Sequence, residues 1–312
     1  MNSILIVVST PVSPPSQEVH LPEINDHPVR LFVKRLDLIH PLAGGNKYYK
    51  LKYNLDAAKK AGHSTLLTLG GAYSNHIFAT AAAGHLAGFK TIGVIRGEQP
   101  QELNPTLAKA HSYGMKLSFM DRPTYRKKNE KAVIDELHKK FGDFYLIPEG
   151  GTNQLAIQGT REILTAGDKT MDYVCCSIGT GGTIAGIIQS AMPHQNILGY
   201  SSLKGDFIRK ELQQLLGKHQ IPFPARHHIF TNYHFGGYAK HQPALIQFIK
   251  DFKEKTDIPL DPIYTGKLAF GVIDQIKSGY FPNGSKILLI HSGGLQGITG
   301  FNQRFGETLD VE

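Results

Sequence analysis

Residues 42–50 read Leu-Ala-Gly-Gly-Asn-Lys-Tyr-Tyr-Lys, so Lys47 follows the flexible pair Gly44–Gly45 at the start of a helical pattern. The first turn of a helix carries partial positive charge, which disfavours an ammonium there and lowers the amine's pKa. A neutral, nucleophilic amine is what a Schiff base to an aldehyde requires. An ordinary exposed lysine behind a loop would read the same way, so this segment needs others beside it to mean more.

Residues 69–83 supply a second (LGGAYSNHIFATAAA). An apolar run ends, two glycines turn the chain, and Ser74 and Asn75 stand where a helix begins. Both residue types are good N-caps. The same free N–H groups and short polar side chains also suit a carboxylate ligand. The small residues behind them, Ala79, Ala81, Ala82, Ala83 and Gly84, allow close packing under a site.

The third segment, residues 174–186, reads VCCSIGTGGTIAG. An apolar strand runs into Gly179, Thr180, Gly181, Gly182 and Thr183 and then into a helix, which is a phosphate-binding arrangement. It is no P-loop, because no Gly-Lys-Ser/Thr follows, and the third small residue of a dinucleotide fingerprint falls on Ile184. The loop therefore fits a single phosphate on a small cofactor. Towards the C-terminus, Tyr238 in HFGGYAK and Tyr264 in DPIYTGK sit in Gly-flanked segments from which a phenol can reach a ligand. Ser292 follows a strand at its carboxyl end, where ligands gather in open α/β sheets.

The elements that must hold these groups alternate. Strands are expected at Leu31–Arg35, Thr65–Leu69, Thr91–Arg96, Lys116–Met120, Phe144–Ile147, Tyr173–Ile178, Ile197–Ser201, His228–Tyr233 and Lys286–His291. Helices are expected at Lys47–Ala61, Ser74–Ala87, Leu103–Tyr113, Lys127–Phe141, Gly182–Ala191, Lys204–Leu216 and Gln242–Lys255. Several strands are continuous apolar runs, as in sheets covered on both faces, so the pattern is α/β with parallel sheets flanked by helices. Thr10–Pro15 reads as an N-terminal arm or loop.

Composition narrows the function classes. At 312 residues and 41% hydrophobic, the chain can bury a sizeable core. No apolar run is long enough to span a bilayer, and Ile4–Val8 is too short for a signal-peptide core, so a cytoplasmic protein without a membrane partner is expected. The 34 basic and 26 acidic residues are spread along the chain, which speaks against a nucleic-acid partner. Cys175 and Cys176 are adjacent and read as reduced and buried, pointing to opposite faces of a strand. No HExxH, no spaced Cys/His set and no GxSxG occurs; His227 and His228 are structural, and no metal is expected.

Taken in order, GGNKYYKLKY, GGAYSNH, PEGGTN, GTGGTIAG, DPIYTGK and HSGG resemble the 1-aminocyclopropane-1-carboxylate deaminase and D-cysteine desulfhydrase family over nearly the whole chain. That resemblance implies the two-domain tryptophan-synthase-β-like fold (pyridoxal-phosphate fold type II), with residues 1–51 and 156–312 forming the larger domain and 52–155 the smaller. It implies pyridoxal 5'-phosphate as cofactor, a small amino acid as substrate and a homodimer. Lys47 would bind the cofactor covalently and Lys50 would lie near its phosphate, with Gly179 to Thr183 as the phosphate loop. Ser74, Asn75 and His76 would receive the substrate, with Asn75 also near the cofactor's phenolic oxygen. Tyr238 and Tyr264 would be the active-site tyrosines, and Thr265 and Ser292 would also face the cofactor.

Two departures from the family pattern matter. Thr265 stands where the deaminases carry a glutamate facing the pyridine nitrogen, and Tyr73 stands where many members have glutamine. Threonine there implies a weaker electron sink, hence a lyase that turns D-cysteine into pyruvate, sulfide and ammonia. The alternative is 1-aminocyclopropane-1-carboxylate deaminase, giving 2-oxobutanoate and ammonia. A non-catalytic binder that keeps the fold is a further class.

Overall fold

A computed structural model describes residues 13–223 and 226–310; the apolar run Ile4–Val8 and the start of the arm, Thr10–Val12, lie outside the described residues. In chain order the strands are β1 (Ser16–Val19), β2 (Arg30–Arg35), β3 (Thr65–Gly70), β4 (Lys90–Arg96), β5 (Met115–Met120), β6 (Tyr145–Ile147), β7 (Tyr173–Ile178), β8 (Asn196–Ser201), β9 (His227–Phe230) and β10 (Lys286–His291). The α-helices are α1 (Asn46–Lys60), α2 (Asn75–Leu86), α3 (Pro105–Ser112), α4 (Arg122–Arg126), α5 (Lys131–Phe141), α6 (Gln154–Thr160), α7 (Gly182–Ser190), α8 (Phe207–Lys218), α9 (Pro243–Thr256), α10 (Thr265–Lys277) and α11 (Ile298–Phe305).

Two sheets form. The larger runs β1-β2-β10-β7-β8-β9 and the smaller β5-β4-β3-β6. Every pairing is parallel except the antiparallel pair β1–β2. Parallel strands need long crossovers, and the helices that supply them cover both faces of each sheet. On one face of the larger sheet, Ile249, Leu268 and Val272 of α9 and α10 pack on Leu289 and Leu198. On the other, Ile184 and Leu212 of α7 and α8 pack on Val174, Leu288 and Ile290. Cys175 belongs to the first core and Cys176 to the second, so the two free thiols point to opposite faces.

Helix α1 belongs to both halves. Tyr48 and Tyr49 are part of the larger sheet's core, whereas Leu51, Leu55 and Ala58 pack with Leu66 and Ile147 of the smaller. The helix is held close to α6, where a Cβ at Gly159 would overlap the Tyr49 carbonyl oxygen.

Helices α6, α10 and α11 have no counterpart in the sequence pattern, and three further elements depart from it. β1 is an edge strand of four residues, too short and polar (Ser-Gln-Glu-Val) to show periodicity. The strand expected at His228–Tyr233 ends at Phe230; the chain turns, and Tyr233 comes back to pack on Tyr200 and donate its hydroxyl to Asp274. The helix expected at Lys127–Phe141 begins only at Lys131; a separate short helix, capped by Asp121 with Pro123 in its opening turn, ends at Arg126, ahead of the expected range. No helix among the described residues is long and apolar enough to cross a membrane.

Gly159→Ala should force α1 and α6 apart and lower stability by about 1–3 kcal/mol. Urea unfolding of the variant against the natural chain checks this; an unchanged midpoint would contradict it.

Candidate active site

A cavity opens at the carboxyl ends of β3, β7 and β10, between the two sheets. Its wall contains Lys47, Lys50, Ser74, Asn75, His76, Gly179, Thr180, Gly181, Thr183, Tyr238, Tyr264 and Ser292, which come from six separate stretches of chain. Of the residues expected there, Gly182 and Thr265 are not in the wall. Gly182 lies just behind it, where a Cβ would come 3.1 Å from Lys50 Nζ. Thr265 is fully buried at the first turn of α10, its hydroxyl donating to Asp261 Oδ2 at 2.7 Å.

The start of α1 is clamped to the end of β10. Gly45 has φ +73°, a region open to glycine, and a Cβ there would strike the Ser292 carbonyl oxygen. The next residue, Asn46, donates its backbone N–H to that same oxygen at 3.0 Å, and its side chain donates to Thr183 Oγ1 at 2.8 Å. One residue on, the Lys47 amine donates to Asn46 Oδ1 at 3.2 Å. Burial pushes its pKa down to about 8, against an opposing pull from the Asp261 carboxylate. Desolvation is the largest cause of that shift.

Lys50 is one turn further and only 2% exposed. Its amine donates to the Gly150 carbonyl (2.9 Å), Thr152 Oγ1 (3.1 Å) and Thr180 Oγ1 (3.4 Å), all neutral acceptors. Burial and the neighbouring Lys47 hold its pKa well below the ordinary value. A buried and a half-buried amine one turn apart on a helix, with no carboxylate bonded to either, leave the site short of negative charge. Gly181, in the left-handed conformation at φ +79°, opens α7 beside them, so the free N–H groups of that helix point the same way. A phosphate fits this cradle by charge and by donors.

The rest of the wall is oriented by second contacts. Ser74 caps α2, accepting from the N–H groups of His76 (3.2 Å) and Ile77 (3.4 Å). Gln296 donates to Asn75 Oδ1 at 2.9 Å, which leaves the Asn75 amide's N–H groups for a ligand. Thr68 gives its hydroxyl proton to the Ile147 carbonyl and so accepts from His76 Nε2 at 2.8 Å. Burial and both lysines push the His76 imidazole well below its usual pKa, which keeps it neutral. Tyr264 and Tyr238 meet edge to face with centroids 6.1 Å apart. Burial raises the pKa of both phenols, so both keep their protons at neutral pH.

Two contributors, Asp261 and Lys267, were not singled out from the sequence. Asp261 accepts from the N–H groups of Ile263, Tyr264 and Thr265 and so starts α10. Lys267, on the same helix, donates to the carbonyls of His234 (2.9 Å) and Gly237 (2.8 Å) and secures the turn that presents Tyr238. Asp-Pro ahead of a helix was the available cue for the first; the second depends on a partner 30 residues away.

Comparison with known proteins agrees with this chemistry. The family model described as "Pyridoxal-phosphate dependent enzyme" matches residues 7–293. The chain is 28% identical to the Arabidopsis thaliana protein named bifunctional D-cysteine desulfhydrase/1-aminocyclopropane-1-carboxylate deaminase, mitochondrial, covering 92% of this chain and 83% of that one. It is 26% identical to the D-cysteine desulfhydrase of Salmonella paratyphi A, covering 93% and 95%. The crystal structure of an ACC deaminase homologue superposes with a TM-score of 0.79 at 26% identity, covering 97% of this chain and 98% of that one.

Because the neutral amine is the nucleophile, the rate at which cofactor-free protein takes up pyridoxal phosphate should rise with pH and level off above about 8, the pKa of Lys47. Stopped-flow absorbance between pH 6.5 and 9 measures it, and a flat profile would contradict the assignment. Borohydride reduction should fix the label on the Lys47 peptide and leave Lys47→Ala unlabelled.

Proposed function

The chain belongs to the pyridoxal-phosphate-dependent enzyme family, and from that premise we propose that it is a lyase that converts D-cysteine, or a related β-substituted small amino acid, to pyruvate, ammonia and the released β-group. The observation that carries this reading is the poverty of carboxylates around the cavity. Among the described residues Asp37 is the one acid in its wall, and it is tied to Arg35 at 2.7 Å and to His291 at 3.1 Å. The hydroxyl of Thr265, where a deaminase would carry glutamate, is spent on Asp261. With Thr265 turned to Asp261, the Ser292 hydroxyl, which is uncharged, would be the group to meet the cofactor's ring nitrogen. Opening a cyclopropane ring releases no heteroatom and leans on a protonated ring nitrogen. Loss of a thiol leaving group leans on it far less.

When bound, pyridoxal phosphate supplies an aldehyde for the substrate's amine and an electron sink for its α-carbon. Lys47 would hold the cofactor covalently and then take the α-proton at Nζ, a role suited to an amine with a pKa near 8. Lys50, the Gly179–Thr183 loop and the start of α7 would hold the phosphate. Asn75 would donate to the phenolic oxygen. Ser74 and the first N–H groups of α2 would bind the substrate carboxylate, with His76 beneath them as a neutral support. Tyr264 and Tyr238, both protonated, would give a proton to the departing group.

The reading includes two domains, residues 1–51 with 156–312 and residues 52–155, closing on a small amino acid, and a homodimer as the working form. 1-Aminocyclopropane-1-carboxylate is the competing substrate, since the Arabidopsis relative is named for both activities.

Supplied with each substrate in turn, the purified holoenzyme should form pyruvate and sulfide from D-cysteine and little 2-oxobutanoate from 1-aminocyclopropane-1-carboxylate; the opposite ratio would overturn the choice. Tyr264→Phe should lower kcat for D-cysteine about 100-fold, the scale of a lost general acid. Retention of full activity would remove Tyr264 from the mechanism.

A further inference from the structure

The chain between β9 and α9 presents Tyr238 on two successive turns, in which the Gly237 N–H donates to the His234 carbonyl at 3.0 Å and the Lys240 N–H to the Gly237 carbonyl at 3.1 Å. Four of its residues stand at positive φ: Phe235 at +51°, Gly236 at +96°, Gly237 at +116° and Ala239 at +54°. Phenylalanine and alanine adopt that region only against a steric cost, so something outside the turns must hold them there. Packing does little of this at the tip, since Tyr238 lines the cavity yet is 40% exposed. Phe235 is seated edge to face on Phe270 of α10, but it lies three residues before the phenol.

Lys267 of α10 supplies the rest. It is 1% exposed, and its amine donates to both turn carbonyls, His234 at 2.9 Å and Gly237 at 2.8 Å. Those two oxygens are the acceptors that close the turns, so one amine ties the turns to each other and to the helix. Among the described residues no carboxylate is bonded to it. A buried ammonium in that position costs stability that an apolar side chain of similar size would not, so its place here points to what it holds. The same helix opens at Tyr264, its N-cap, which meets Tyr238 edge to face. Both phenols therefore take their positions from one helix end, Tyr264 directly and Tyr238 through Lys267.

We propose that Lys267 is a positioning residue for the elimination step, acting through the backbone of the Tyr238 turns to aim that phenol at the departing group. This rests on the lyase reading and on the part it gives the tyrosines. In the step itself the Cβ–S bond of D-cysteine breaks and its electron pair leaves with sulfur. The phenol's proton goes to sulfur to give hydrogen sulfide, and water returns a proton to the phenolate. Lys267 is not in the cavity wall and touches none of the reacting atoms. Its loss is therefore felt where the leaving group takes a proton and little where it does not, as with chloride, which departs as the free anion.

Lys267→Met keeps a similar volume and removes both donors. With D-cysteine, its holoenzyme should lose about 10- to 100-fold in kcat, the scale of a catalytic group displaced by an ångström. KM should stay within about threefold, because the substrate's carboxylate and amine are held elsewhere. With 3-chloro-D-alanine, kcat should also stay within about threefold, since no proton is needed by the leaving group. In a Tyr238→Phe background the effect of Lys267→Met should vanish, there being no phenol left to aim. Gly237→Ala puts a Cβ on a residue at φ +116° without touching α10, and should give the same contrast between the two substrates. It carries the test if Lys267→Met does not fold. Equal losses with both substrates, or effects of Lys267→Met and Tyr238→Phe that multiply, would overturn the proposal, as would a Tyr238→Phe variant as active on D-cysteine as the natural enzyme. A natural holoenzyme that forms pyruvate from neither substrate would overturn the lyase reading itself; pyruvate from both, with equal losses in Lys267→Met, would overturn the role of Lys267 alone.

Discussion

Two amines one helical turn apart, Lys50 buried and Lys47 half-buried, with no carboxylate bonded to either, are the constraint on which the site depends. Side chains three residues apart on a helix lie about 5–6 Å from one another, and like charges at that range repel by about 3 kcal/mol at an intermediate dielectric. The protein lowers this cost by holding both pKa values down, giving a reactive amine at Lys47 and an anion-seeking one at Lys50. The neutral oxygens around Lys50 hold it in place without cancelling its charge, and the opening of α7 adds oriented N–H groups to the same space. A bound phosphate monoester completes the charge balance that the protein leaves open.

Holding the two amines there requires that α1 move with neither sheet alone. Its tyrosines are set in one core and its leucines in the other, Gly159 lets α6 press against it, and Gly45 lets the Ser292 carbonyl reach its first turn. The end of β10 is fixed in the same neighbourhood. His291, fully buried, reaches Asp37 through Nδ1 at 3.1 Å and the Pro259 carbonyl through Nε2 at 2.7 Å. Its pKa is raised by Asp37, and that of Asp37 is held well below the usual carboxylate range by His291 and Arg35 against the opposing effect of burial. This chain of contacts joins the loop before α1, the end of β10 and the approach to α10. Those are the segments that present Lys47, Ser292 and Tyr264.

Periodicity made most of the scaffold readable, because strands covered on both faces are continuous apolar runs and amphipathic helices repeat near 3.6 residues. It failed where burial is set by a distant partner. α10 opens with a motif that read as a loop, since the residues that start it, Asp261 and Thr265, are polar, buried and bonded to each other. α6 and α11 are short helices with four and three buried residues, too few to make a stripe. Thr265 shows the same limit at the site. Its place beside Tyr264 in the sequence suggested a ligand contact, yet its hydroxyl turns inward to Asp261.

The sequence by itself determined which groups were available and in what order: a lysine after two glycines, a Ser-Asn pair after a strand, a glycine loop ahead of a helix, two tyrosines and a strand-end serine. These are local features, written in residue type and spacing; they pointed to an α/β class and to a Schiff-base amine beside a phosphate loop, and the resemblance their order carries implied the two-domain fold and pyridoxal phosphate. Tertiary structure decided which groups meet and in what state they do so. The Lys47 amine owes its lowered pKa chiefly to burial, Asn75 owes its orientation to Gln296 from 221 positions away, and Thr265 is turned from the cavity by Asp261. Desolvation and hydrogen-bond direction are properties of a packed interior, and no one-dimensional pattern encodes the neighbours that create them.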